Sequence, residues 1–152
     1  MDFQPPPSAV EPPEPGRAGP TILVVDDHKP VRDTLKHVLE RAGYKVLTAD
    51  SGPCAIALAA GEPIDGALID VQMQGMNGIE CLRRIQEHRG PIRAWFMAGA
   101  PSKEITVAVA ASGAIGLLPK PFNLPTLLTT LKDGLAAPLP SPNPIETDPS
   151  RT

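Results

Sequence analysis

The sequence predicts an α/β domain built on a five-stranded parallel sheet. Strand-like and helix-like segments alternate five times between Thr21 and Ala136. The first strand segment, Thr21 to Val25, is an unbroken apolar and β-branched run, as expected of a strand covered on both faces. Parallel strands are joined only by crossovers, and here each intervening segment carries helical spacing, which favours a sheet sandwiched between helices.

The elements follow in order. After Thr21–Val25, Pro30 suits a first helical turn, and Val31, Leu35, Val38, Leu39 and Ala42 recur at helical spacing until Gly43. Lys45–Ala49 is a second strand. Ser51 can cap a short Ala-rich helix over Ala55–Ala60 that Gly61 and Pro63 end. Gly66–Asp70 is a third strand, followed by a turn-rich loop from Gln74 to Gly78. Asn77 and Glu80 have capping-box spacing before a helix bearing Ile79, Leu82 and Ile85. Arg93–Met97 is a fourth strand, and Pro101 and Ser102 open a fourth helix. Ala114–Leu118 is the fifth strand, and Asn123 caps a last helix carrying Leu127, Leu128, Leu131 and Leu135.

The 152 residues suffice for one domain. The folded unit is expected over 21–136. Residues 1–20 hold seven prolines and residues 137–152 five more. Neither segment has the apolar surface to offset ordering entropy, so both are expected to be disordered tails. No output domain is expected after the last helix.

The net charge of −3 gives no basic footprint for nucleic acid. No apolar run approaches the roughly 18–20 residues that span a bilayer. The start, from Met1 to Val10, has neither basic residues nor an apolar stretch of the secretory kind, and a cytoplasmic protein is expected. Cys54 and Cys81 lack metal or redox spacing and read as reduced thiols. His28, His37 and His88 read as exposed or capping residues, and Trp95 and Met97 as core.

Three features stand at the carboxyl ends of expected strands: Asp26 and Asp27 after the first, Asp70 after the third, Lys120 and Pro121 after the fifth. That edge of an open α/β sheet is where ligands bind. With strand order 2-1-3-4-5 the first and third strands are neighbours, and Asp27 and Asp70 face one space with Lys120 beside them. A single Asp there is commonly just a cap, but clustered carboxylates repel and cost stability unless a cation needs them. Mg²⁺ prefers oxygen ligands and binds through one or two carboxylates plus waters and phosphate. Asp27 and Asp70 can supply these, with Asp26 holding a metal-bound water. Asp70 can act as a carboxylate nucleophile, and Lys120 can pair with a phosphoryl oxygen.

This constellation resembles the response-regulator receiver family over residues 21–136. The resemblance rests on Ile22 to Asp27, on Asp70 to Gly78, and on Gly113 and Ala114 through Pro119, Lys120, Pro121 and Phe122. It implies a flavodoxin-like receiver fold with sheet order 2-1-3-4-5. It also implies phosphorylation of Asp70 by a histidine kinase or histidine phosphotransfer protein, and Mg²⁺ on Asp27, Asp70 and the Gln72 carbonyl. Phosphate contacts fall at Gln72, Ala98, Gly99 and Lys120, and the Lys120–Pro121 peptide is expected to be cis. The implied role is phosphoacceptor rather than enzyme, signalling through contacts with a downstream protein.

Three positions depart from the family. Gln74 stands where proline is usual, Ala98 where a Ser or Thr hydroxyl is usual, and Leu117 where a switching aromatic is frequent. Ala98 and Leu117 favour one alternative, a receiver-like binding module that acts without phosphate, which the complete set of Asp26, Asp27, Asp70 and Lys120 opposes. A flavodoxin-like cofactor protein is disfavoured because Asp26 and Asp27 would repel a cofactor phosphate. A phosphohydrolase with an aspartyl nucleophile is disfavoured because its paired Asp residues alternate, whereas these are adjacent.

Overall fold

A computed structural model describes residues 19–136. The two Pro-rich segments lie outside this range, except that the Pro20 carbonyl accepts from Lys45 N–H at 2.9 Å beside the first strand pair. The chain alternates β1 (Thr21–Val25), α1 (Lys29–Arg41), β2 (Lys45–Ala49), α2 (Gly52–Gly61), β3 (Gly66–Asp70), α3 (Gly78–Arg89), β4 (Arg93–Ala98), α4 (Lys103–Ala111), β5 (Gly116–Pro119) and α5 (Leu124–Ala136). The strands are parallel in the order β2-β1-β3-β4-β5, which is the expected order.

Period-two alternation divides the central strands between two cores. Ile22, Val24, Leu68, Trp95 and Met97 pack with Leu35 and Leu39 of α1 and Leu127 and Leu131 of α5. Leu23, Val25, Ala67, Ile69 and Phe96 pack on the opposite face with Ala55 and Ala59 of α2, Leu82 and Ile85 of α3, and Val109 of α4. Trp95 and Met97 are core residues, as expected. No described helix is long and apolar enough to cross a membrane.

Four local expectations are corrected. The second helix starts at Gly52, three residues before Ala55, because Ser51 is itself the cap: its hydroxyl accepts from Cys54 N–H at 3.3 Å, and Pro53 sits in the first turn. The fifth strand runs Gly116–Pro119 rather than Ala114–Leu118. Gly113 is left-handed (φ 86°) and the Ser112 hydroxyl takes Ala114 N–H at 3.2 Å, so residues 112–114 close α4 before pairing begins. Asn77 caps α3 by accepting from Glu80 N–H at 2.9 Å, but the Glu80 carboxylate turns to Arg83 and Arg84 instead of completing the box. Those two guanidinium groups hold Glu80 down at about 2. The fourth strand gains one residue, Ala98.

On α4 only Val109 is fully buried, and Val107 is 64% exposed. The run Ile105–Ala111 is therefore not simply buried against the sheet.

One contact fixes how closely α5 approaches. A Cβ at Gly134 would lie 2.1 Å from Cζ2 of the buried Trp95 ring. Gly134→Ala is therefore expected to destabilise the fold. Its gain in helix propensity, about 1 kcal/mol, is outweighed by overpacking of about 1–3 kcal/mol. Thermal unfolding followed through Trp95, the chain's single tryptophan, should show a lower midpoint.

Candidate functional site

The residues at the carboxyl ends of β1, β3 and β5 converge because β1 pairs with β3 and the Lys120 side chain, after β5, reaches both strand ends. Asp26 follows β1, and its N–H donates to the Ala49 carbonyl at 3.1 Å, so the sheet ladder itself sets its position. Its side chain has no solvent exposure. One oxygen, Oδ2, accepts from Lys120 Nζ at 2.7 Å. The other, Oδ1, accepts from His28 N–H at 2.9 Å and lies 3.0 Å from His28 Nδ1. Arg32 of α1 donates to the Asp26 carbonyl at 2.8 Å.

Asp70, the last residue of β3, is 4% exposed. Its Oδ1 accepts from Gln72 N–H at 3.3 Å, and its Oδ2 is 3.4 Å from Lys120 Nζ. Burial raises the Asp70 carboxyl above its ordinary pKa of 3.8, and the neighbouring Asp26 charge raises it further. Lys120 and the Gln72 N–H offset only part of that rise. Behind Asp70 there is no room for a side chain: a Cβ at Gly78 would meet the Asp70 carbonyl oxygen at 2.1 Å. The Gly78 N–H donates to Val71 O at 2.8 Å, which seats the start of α3 against the end of β3.

Asp27 lies at the rim. Its Oδ2 accepts from Gln74 N–H at 3.2 Å, across the cleft from the β3–α3 loop. Its Oδ1 is buried and takes no hydrogen bond, although His28 Nδ1 is 3.1 Å away. One donor atom each from Asp26, Asp27, His28 and Asp70 lie within 4.8 Å of one another. A buried carboxylate oxygen without a donor, among three carboxylates, fits a hard divalent cation that takes oxygen ligands. Asp27 and Asp70 could hold such an ion.

The sequence-derived site residues thus fall into two groups. Asp26, Asp27, Asp70 and Lys120 come together. Gln72 follows Asp70 and is exposed, Ala98 ends β4 with its side chain buried, and Gly99 is exposed. The Lys120–Pro121 peptide is cis, as expected. Two participants were not anticipated. His28 is exposed, as read, but its ring does not cap α1 and instead lies between two carboxylates. Its place directly after Asp26 and Asp27 was the available signal. Gln74 contributes a main-chain donor, which a proline could not, and no side-chain pattern encodes that bond.

Both thiols are free. Cys81 is buried among apolar groups, which push its thiol up to about 11 and leave it inert.

The family profile described as response regulator receiver domain matches residues 22–132. The DNA-binding transcriptional regulator NtrC of Rhizobium meliloti is 35% identical over 133 residues, which is 86% of this chain and 27% of that protein. The chain spans from about a quarter to about half the length of such curated relatives. Among solved structures, the Vibrio cholerae chemotaxis protein CheY4 is similar with a TM-score of 0.72 and 35% identity, covering 76% of this chain and 98% of that one. TrrA of Thermotoga maritima, solved in complex with Mg²⁺-BeF, is similar with a TM-score of 0.69 and 26% identity, covering 76% and 99%. With the fold, the convergent strand ends and the profile match in agreement, the chain belongs to the response regulator receiver domain family.

Proposed function

We propose that this chain is a phosphoacceptor of a two-component phosphorelay, taking a phosphoryl group on Asp70 with Mg²⁺ held by Asp27, Asp70 and the Gln72 carbonyl. In this reading Asp26 orients a metal-bound water. The donor is a histidine kinase or histidine phosphotransfer protein. The chain works in the cytoplasm, and its output is a change in protein–protein contacts rather than direct nucleic-acid binding. The observation that carries the reading is the stressed Asp70 carboxylate, buried beside Asp26 with Lys120 in reach.

In the transfer, an Asp70 oxygen attacks the donor phosphorus, a P–O bond forms, and the P–N bond to the donor imidazole breaks with its electron pair leaving on nitrogen. The bound cation supplies positive charge that lets an anionic donor approach. Lys120, held between Asp26 Oδ2 and Asp70 Oδ2, can follow the new phosphoryl oxygens as a point charge. Gln72 N–H, now on Asp70 Oδ1, offers a donor to the same group. Beside the site an apolar cleft of about 450 Å³ is lined by Pro30, Val31 and Leu35 of α1 and by Pro121 and Phe122, with Lys120 at its edge. A donor carried on another protein gains a dry contact there.

A second reading, a binding module indifferent to phosphate, draws on Ala98 and Leu117. Ala98 is 1% exposed and carries no hydroxyl for the phosphoryl group. Leu117 packs against the α2–α3–α4 core and has no ring to bury or expose. Exposure of the chain to acetyl phosphate with Mg²⁺, followed by intact-mass measurement, separates the two. The expected result is the mass of one phosphoryl group, absent in Asp70→Asn and in excess chelator. Undiminished labelling of Asp70→Asn would overturn the assignment.

The stress on Asp70 has a sign. Its folded pKa lies above the unfolded 3.8, so its ionised form weakens the fold above the folded pKa, and that penalty is relieved as pH falls through it. Asp70→Asn without metal is expected to raise Tm at neutral pH and to flatten the pH dependence just above 3.8. Thermal melts of both chains across that range check it.

Phosphorylation is expected to shift conformation weakly. A hydroxyl bonded to a charged phosphoryl group is worth about 1.5–3 kcal/mol, which Ala98 forgoes. Amide NMR shifts across residues 106–118 on adding a beryllofluoride mimic should be small in the native chain and larger in Ala98→Ser. Equal, large shifts in both chains would refute this.

A further inference from the structure

The geometry points to Gln74 as a positioning residue for the cation: its main-chain N–H holds Asp27 so that one carboxylate oxygen stays available as a ligand. The inference rests on the reading above that Asp27 and Asp70 hold Mg²⁺. Asp27 Oδ2 accepts from Gln74 N–H at 3.2 Å, a bond between residues 47 apart in the chain. With Oδ2 engaged, the buried Oδ1 is the oxygen left without a hydrogen bond. A ligating carboxylate is oriented by hydrogen bonds of this kind, and losing such a partner typically costs about 10–100-fold in metal affinity.

The donor belongs to a loop fixed at its base and along its length. Val71 N–H donates to the Met97 carbonyl at 3.0 Å, and Gly78 N–H donates to the Val71 carbonyl at 2.8 Å, which closes the segment between them. Inside it, Met73 and Met76 are partly buried against the α2–α3–α4 core. Met76 lies over the start of α2, where a Cβ at Gly52 would meet its Sδ at 2.7 Å. Gln74 stands between these two anchors in sequence and is itself exposed. Gly75 follows with a left-handed φ of 82°, which lets the chain turn directly after the donor. The loop is thus ordered by its own packing, and the orienting bond adds to cation affinity without a separate ordering cost.

A proline at position 74 would have no N–H to give. The departure at Gln74 therefore changes what the main chain can do, and the exposed side chain is incidental to it.

The test is calorimetric titration of Mg²⁺ into the full chain, Gln74→Pro, Gln74→Ala and Asp27→Asn, with the rate of acetyl phosphate labelling followed against Mg²⁺ concentration. Gln74→Pro, which removes the donor, is expected to bind Mg²⁺ about tenfold more weakly and to regain the native labelling rate at saturating Mg²⁺. Gln74→Ala keeps the N–H, and its Mg²⁺ affinity is expected to stay within about twofold of native. Equal losses in both variants, or a Gln74→Pro rate that stays low at saturating Mg²⁺, would assign the effect to loop shape and overturn the proposal. Should Gln74→Pro fail to fold, hydrogen exchange of the Gln74 amide decides. It is expected to be slow in the native chain and several times faster in Asp27→Asn, and equal rates would overturn the proposal. Native affinity in Gln74→Pro, beside abolished binding in Asp27→Asn, would sink this inference alone and leave the phosphoacceptor reading standing. Absence of Mg²⁺ binding in the native chain would overturn both.

Discussion

The ion pair between Asp26 and Lys120 is the constraint on which the rest of the cleft depends. Asp26 has no exposure, so its charge needs internal compensation, and the ammonium at 2.7 Å comes from 94 residues further along the chain. Removing one partner of such a pair costs about 3–5 kcal/mol, because the other charge stays buried and unpaired. The pair ties the end of β1 to the segment after β5, across the sheet positions held by β3 and β4. His28 N–H and Arg32 add further donors to Asp26, one to its side chain and one to its carbonyl. The same ammonium then stands 3.4 Å from Asp70, so the structural clamp and the electrostatic partner of Asp70 are one side chain.

What remains around Asp70 is an incompletely compensated concentration of negative charge. A single Lys120 faces both Asp26 and Asp70, and Asp27 Oδ1 has no hydrogen-bond donor. With Asp26 already paired to Lys120, a scaffold with only a structural role would gain stability by losing the charge of Asp70 or Asp27. Their joint presence fits a site whose negative charge a bound cation would offset.

Packing delivers this chemistry with little slack. Gly78 lets α3 begin directly against the Asp70 carbonyl, and Gly134 lets α5 rest on Trp95. The first contact supports the end of β3 from behind. The second holds α5, which follows the Lys120 segment, against the sheet. At Ala98 and Leu117 the same framework carries neither a hydroxyl nor an aromatic ring, and Val107 of α4 is largely solvent-exposed.

The sequence by itself determined the element order, the sheet and the chemical identity of the cleft. Buried parallel strands require unbroken apolar runs such as Thr21–Val25, and strand-end residues such as Asp26, Asp27, Asp70 and Lys120 fall at one edge once the order is fixed. Local capping was legible where one side chain bonds a main-chain group close by, as at Ser51, Asn77 and Ser102. It failed where a second partner competed, as when Arg83 and Arg84 drew Glu80 away from Asn77, or when Ser112 delayed β5. Only the tertiary structure decided that His28 turns between two carboxylates and that the Gln74 main chain reaches Asp27 from 47 residues away. The Gln74 contact uses a main-chain donor that every residue except proline possesses, so no choice of side chains announces it, and the His28 ring position depends on the distance between the Asp26 and Asp27 carboxylates.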